Sequence, residues 1–285
     1  MCADVSVWPK RNGKQLMDIL THALCGAAAG TLAAAFVKNK TERAALIAAA
    51  AIGAVVPDLD AISLWSKFDG TFGKIFALKH TGKYIYSAKF WYSHHAFMHS
   101  IFAGILMAVC AGLAWFSIKN APKPQASFEN IKKFFVSKKI YFAAFLSGYI
   151  LHLFGDLPTP ASTWGGIRMF FPFKAYVGGS GKIWWWNNYD LFLIVCAIIA
   201  LNSALLLSEK YLKNKTKVLA FAVFMFGFCF TAYRTQTRGF DFNYFGNTSR
   251  YQEYELKSKD IQKELLGRKL YKIMETIDGN LPIYF

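Results

Sequence analysis

The 285-residue chain is 54% hydrophobic and 17% aromatic, with the apolar residues in long blocks, which excludes an ordinary water-soluble globule. Its formal net charge of +16 raises the question of nucleic acid. Lys and Arg lie mostly between the apolar blocks, however, where anionic headgroups and membrane topology account for them, so no nucleic-acid partner is expected.

Residues 1–16, MCADVSVWPKRNGKQL, lack the continuous apolar core of a signal peptide and read as a loose leader, with Met17 an alternative start. Six apolar blocks follow, each read as a span against the roughly 20 residues that a crossing needs. The first, about Met17 to Val37, is so dense in Ala and Gly that neighbouring helices can approach closely. The second, Ala44 to Val56, is short and ends in Pro57, Asp58, Leu59 and Asp60. Leu64 to Trp91 mixes Lys, Gly and aromatics without a clean period, as an interfacial loop carrying amphipathic turns would.

SHHAFMHS then opens the third span, Ser100 to Ile118, and a polar, basic loop with APKPQ covers 119–139. The fourth span, Ile140 to Leu157, carries His152 and Asp156, which four-residue spacing places on one helix face. Beyond it come a Pro- and Gly-rich segment and the run Trp184 to Trp186, a density that favours a membrane interface. Tyr189 to Ser208 and Val218 to Tyr233 are the fifth and sixth spans. In the polar tail from 235 to 285, Leu256, Ile261, Leu265, Leu270, Ile273 and Ile277 repeat like one helical face, suited to lie on the bilayer or pack under the bundle, with Gly279 as a stop. Cys25, Cys110, Cys196 and Cys229 fall inside apolar blocks without paired spacing and read as small buried side chains. The expected fold is therefore an all-α, polytopic helix bundle of about six spans over 17–234, with an amphipathic C-terminal helix.

Spans alternate in direction, so the starts of odd spans and the ends of even ones meet at one face of the bilayer. His22, Asp58, Asp60, His94, His99, His152 and Asp156 all fall at that face. An isolated Asp at a helix centre costs about 2.5–3.5 kcal/mol on insertion scales, so such groups normally have partners. Taken singly, His22 reads equally as a core histidine bonded to a carbonyl, and either Asp of the pair as a turn former after Pro57. His80 lies in a Lys-rich loop and reads as solvated. As a set, the seven point to a metal site. His and carboxylate donors without clustered thiolates suit Zn²⁺, with Mn²⁺ the alternative, and seven candidates suffice for two ions with outer-shell partners to spare. Asp58, Asp60, His152 and Asp156 are the catalytic candidates. Arg168 and Lys174 read either as contacts to an anionic substrate or as interfacial charges.

The motifs MDILTHALCGAAAG, VVPDLD, HHAFMHS and GYILHLFGDLPTP, in that order over about 17–175, resemble the YdjM-like family of bacterial inner-membrane proteins, described as membrane-bound metal-dependent hydrolases. The resemblance carries the family's motif residues onto His22, Asp58, Asp60, His152 and Asp156. In the third motif, usually His-Arg-x-x-Thr-His-Ser, His95 and Met98 replace Arg and Thr, leaving His94 and His99 as the matching pair. Helical spacing would instead pair His95 with His99, so His95 is held as an alternative. In the fourth motif, ASTW separates TP from GGIRMFFPF. The family is distantly similar to zinc-dependent phospholipase C and P1 nuclease, which implies a phosphoester substrate, lipid or lipid-linked. The alternative is a metal-stabilised scaffold or an ion-coupled transporter. Compact basic loops at 38–43, 119–139 and 209–217 place the opposite face in the cytoplasm and the site on the outer face of the inner membrane.

Overall fold

A computed structural model of the chain describes residues 16–120, 127–161, 163–185, 187–238, 241–242 and 251–280. The leader up to residue 15, the APKPQ stretch and Trp186 lie outside them. Ten α-helices cover most of the described residues: α1 Leu16–Ala34, α2 Lys40–Val55, α3 Gly82–Ser87, α4 Ile101–Asn120, α5 Phe128–Ser137, α6 Lys139–Asp156, α7 Tyr189–Leu207, α8 Glu209–Leu212, α9 Lys215–Gln236 and α10 Tyr251–Asn280. The β pairing found among these residues is two isolated bridges, Pro160 with Ser180 and Ile167 with Val177.

Six of the helices lie where the sequence predicts spans. By length and composition α4, α7, α9 and α2 with its continuation to Leu64 are sufficient to cross a membrane, and α5 with α6, bent by 67°, makes a fifth candidate. The apolar part of α1, Ile19–Ala34, is shorter. The loop expected over 119–139 thus contains a helix. Ser127 caps α5 by accepting from the Asn130 N–H, and the Lys132–Lys133 pair obscures the amphipathic pattern that buries Phe134.

Small residues let α1, α2 and α6 touch backbone to backbone. A Cβ on Gly148 of α6 would come within 1.9 Å of the Ala50 carbonyl oxygen on α2, and one on Gly26 of α1 within 2.3 Å of the same atom. Such approaches are how apolar helices gain packing where lipid offers no hydrophobic contrast. Buried polar contacts add to them: the Asn202 side chain of α7 donates to Thr31 Oγ1 at 3.2 Å, and Thr31 donates to the Ala28 carbonyl at 2.6 Å. At the end away from the site, Arg43 donates to the Val37 carbonyl at 2.9 Å and pairs with Glu209, tying the α1–α2 turn to α8.

Three expectations need correction. Trp184 is fully buried against Phe242 and Tyr254, so it is a core residue and not an interfacial anchor. Cys110 and Cys229 are exposed, and Cys25 and Cys196 half-buried, because outward faces of a membrane bundle are apolar too. In α10, Gly267 at φ 71° interrupts the helix. Of the predicted stripe, Ile261 packs against Trp184 and Phe242, while Leu256, Leu265, Leu270, Ile273 and Ile277 are exposed, as a face suited to lie on the bilayer would be; Glu255, Ser258, Gln262, Tyr271 and Met274 are buried.

The tail packs on the bundle all the same. Tyr271 and Met274 cluster with Tyr189, and Gln262 accepts a hydrogen bond from the Asp190 N–H at 3.4 Å. Arg238, just beyond α9, grips both Asp190 oxygens at 2.7 and 2.9 Å.

Candidate metal centre

The site is built where α2 changes pitch. Pro57 lacks an N–H and disfavours continued α geometry, and the chain runs on as a 3₁₀ helix, Val56–Leu64. At three residues per turn, Asp58 and Asp60 leave that helix in directions about 120° apart. His99 is wedged between them, its Nε2 3.7 Å from Asp58 Oδ1 and its Nδ1 3.2 Å from Asp60 Oδ2.

From α6, His152 and Asp156 project one turn apart as their spacing predicts, with Nε2 to Oδ2 at 3.1 Å. His152 Nδ1 lies 2.8 Å from the Ala54 carbonyl, so this nitrogen carries the proton and Nε2 presents its lone pair to the cluster. From α1, His22 Nε2 reaches Asp156 Oδ1 at 3.3 Å. Gly155 leaves room for it, since a Cβ there would stand 2.9 Å from His22 Cε1. His94 Nδ1 is 2.6 Å from Asp60 Oδ1.

The structure therefore joins all seven residues into one chain of contacts. It adds His95, whose ring nitrogens lie with those of His94 and His99 in a set compact enough for an ion. The helical argument for His95 does not apply, because the segment before His99 is a turn and His95 has a positive φ of 63°, a conformation rare for a non-glycine residue and enriched at functional sites. Two more sets of the same kind are His22, Asp58 and His152, and His99, His152 and Asp156.

Geometry and burial fit a divalent ion. A tetrahedral ion with bonds of about 2.0–2.2 Å holds its ligand atoms about 3.3–3.6 Å apart. His99 Nε2, His152 Nε2, Asp156 Oδ2 and Asp58 Oδ1 show five separations of 3.1 to 3.7 Å. Asp156 Oδ2 is buried without any hydrogen bond, although His99 Nε2 and His152 Nε2 lie 3.3 and 3.1 Å from it. Close but misaligned donors and acceptors are what ligands directed at a common centre leave behind, and buried polar atoms in ordinary cores are paired.

Electrostatics agree. Burial disfavours a charged His99, but the carboxylates of Asp60, Asp58 and Asp156 outweigh it and push its imidazole up to about 10. His95 is held well below the usual range by burial and by the neighbouring His94 and His99, which outweigh the pull of Asp156 and Asp60. Its Nδ1 donates to the Gly166 carbonyl at 3.2 Å.

Arg168 and Lys174 do not join the cluster. Arg168 donates through Nε to the Phe173 carbonyl and through Nη2 to that of Pro172, at 2.7 and 2.8 Å. Its guanidinium thus closes its own turn, while its backbone N–H donates to the His95 carbonyl. Lys174 is exposed. Three neighbours went unnoticed in the sequence. Tyr149 donates from α6 to the Met98 carbonyl and fixes the residue before His99; its place three residues before His152 was the available signal. Tyr86 stacks on His94 at 4.5 Å and Trp164 lies tilted against His95 at 4.5 Å, closing one side of the site with aromatic rings. Trp164 belongs to ASTW, the very stretch that departs from the motif.

The model of the YdjM inner membrane protein family matches residues 17–239. The chain belongs to the YdjM inner membrane protein family. The match runs well past residue 175, through α7 and α9, so the family region includes the helices that receive the tail. It also places the chain in the membrane, with the His and Asp groups at one end of a YdjM bundle able to hold a metal ion. No curated protein and no solved structure matches the chain.

Proposed function

We propose that this YdjM-family protein is a membrane-bound, metal-dependent hydrolase that cleaves a phosphoester of a lipid or lipid-linked substrate. The observation that carries the reading is the set of ligand atoms at coordination spacing, with the buried Asp156 Oδ2 lacking any hydrogen bond at its centre. Zinc is the metal that this His and carboxylate set suits best, with Mn²⁺ the alternative. His22, Asp58, His99, His152 and Asp156 would hold it, with His94 and His95 beside His99 as donors for a second ion. When bound, such ions supply Lewis acidity and a nucleophilic water at neutral pH.

The remaining roles belong to the chain. Asp60, behind His99 and His94, orients both rings, as outer carboxylates do for metal-bound histidines. The Ala54 carbonyl fixes the tautomer of His152. Trp164 and Tyr86 exclude water on the His94 and His95 side. The three carboxylates Asp58, Asp60 and Asp156 carry three negative charges, which two divalent ions exceed by one. A phosphodiester, with its single negative charge, offsets that excess. An ion path would string titratable groups through the depth of the bilayer, whereas these gather at one end of the spans.

The compact basic stretches at the other end, with Lys38, Lys40 and Arg43 where α1 gives way to α2 and Lys210, Lys213 and Lys215 where α7 gives way to α9, support a cytoplasmic location there and a site facing outward. Reporter fusions after Arg43 and after Gly70 test the orientation. The activity is tested by metal analysis of the purified protein alongside a screen of generic phosphoesters. Exchange of His152 or Asp156 for Ala is expected to abolish bound zinc and turnover together; turnover that survives both changes overturns the reading.

A further inference from the structure

A cavity of about 720 Å³ adjoins the metal centre, walled by α1, α6, α7 and α9. Polar groups line it at the level of the site, with His22 and Thr21 from α1, Asn188 from the start of α7 and Thr235 from the end of α9. Deeper in, the walls are apolar, formed by Ala28, Val195, Ile198 and Phe224.

The lining selects the occupant. From Asn188 to Ile198, α7 descends about 15 Å at the rise of an α-helix, half of a hydrocarbon core about 30 Å thick. The lining is thus polar near the site and apolar over a depth comparable to one leaflet. A hydrocarbon chain suits such walls, and water lacks polar partners along the lower ones. Phe154 of α6 and Phe228 of α9 stand at the edge of the cavity and are exposed, which opens it sideways between those helices to the lipid.

We infer that the cavity takes one hydrocarbon chain of a membrane lipid from the leaflet on the side of the site, so that the lipid's head is delivered to His22 and Asp156. The inference rests on the hydrolase reading for what then happens to the head, but not for the occupancy of the cavity.

The test uses the full-length protein in dodecyl maltoside and phosphatidylglycerol carrying a diazirine midway along one acyl chain. After irradiation, labelled residues are mapped by mass spectrometry. Labels are expected on the cavity wall, at Cys25 to Ala28 of α1 and Leu191 to Ile198 of α7. Ala28→Phe, which fills the deep half, is expected to lower them at least tenfold while labels on the outward face of α4, at Ile105 and Val109, persist. Labels confined to outward faces overturn the inference, and the wild-type map decides this even where Ala28→Phe fails to fold. His152→Ala, expected to lose hydrolysis, should keep the cavity label. A labelled cavity in a protein inert toward phosphoesters would thus refute the hydrolase reading alone, and turnover with an unlabelled cavity would refute the chain site alone.

Discussion

His99 Nε2 and His152 Nε2 face each other across 3.2 Å, and the second nitrogen of each ring is already turned to an acceptor. For His152 the acceptor is the Ala54 carbonyl at 2.8 Å, and for His99 it is Asp60 Oδ2 at 3.2 Å. Two imidazole lone pairs brought this close need a cation between them, either a proton or a metal. Exchange of either histidine for Ala is therefore expected to lower zinc in the purified protein at least tenfold. His80→Ala is the control, because His80 is exposed and only stacks on Tyr84 and Phe90. Unchanged zinc in both variants would remove the case for coordination.

Asp60 is within reach of two histidines and touches the ligand set only through them. Asp60→Asn leaves every direct donor in place but no longer anchors His99 by charge. Zinc affinity is expected to fall about 10–100-fold, the usual effect of losing an outer-shell partner. Competition with a chelating dye measures it. A fall as complete as that of His152→Ala would instead make Asp60 a ligand.

Metal and proton compete for His99. With its imidazole pushed up to about 10 by the surrounding carboxylates, the metal-free protein holds a proton there at pH 7, and zinc needs the neutral ring. Loading is expected to release at least one proton at pH 7, and apparent affinity should rise with pH between 7 and 10. Titration calorimetry in buffers of different ionisation enthalpy detects the release. Heats independent of the buffer would contradict it.

The tail is latched by charge. Asp190 is buried under Arg238, and breaking a buried ion pair destabilises by up to about 3–5 kcal/mol. Asp190→Ala should therefore loosen α10, seen as faster proteolysis within 251–280 and a lower melting temperature. Replacing both Asp190 and Arg238 by apolar residues of similar size should restore much of the loss.

At the α2–α6 crossing, a Cβ on Gly148 would press into the Ala50 carbonyl at 1.9 Å. Neither backbone can yield cheaply, so Gly148→Ala is expected to cost at least the roughly 1–3 kcal/mol typical of overpacking. Thermal melting of the purified variant checks this.

The positions of the spans and the convergence of the ligands were legible because both follow from simple rules. Apolar length gives the spans, and alternating direction places His22, Asp58, His99 and Asp156 at one depth before any packing is known. Which nitrogen faces which oxygen was not legible. The direction of His99 depends on α2 changing to a 3₁₀ helix at Pro57, and the inclusion of His95 depends on a left-handed turn that no periodicity announces. The break in the tail is not legible either: a stripe from 256 to 277 supposes one continuous helix, and Gly267 at φ 71° interrupts it midway. Arg168 looked available for an anion because the sequence could not reveal the carbonyls of Pro172 and Phe173 that occupy it.

The backbone contact of α1, α2 and α6 at Gly26, Ala50 and Gly148 has a consequence for how the centre is filled. His22, Asp58 and His152 hang from three rods that touch without side-chain padding, so their separations are set by main-chain geometry, with little slack for collapse when a cation departs. Stripping with a chelator should leave a bundle of the same helicity that takes zinc back at once on re-addition, a capture by a rigid cage in place of the coupled folding seen in small zinc modules.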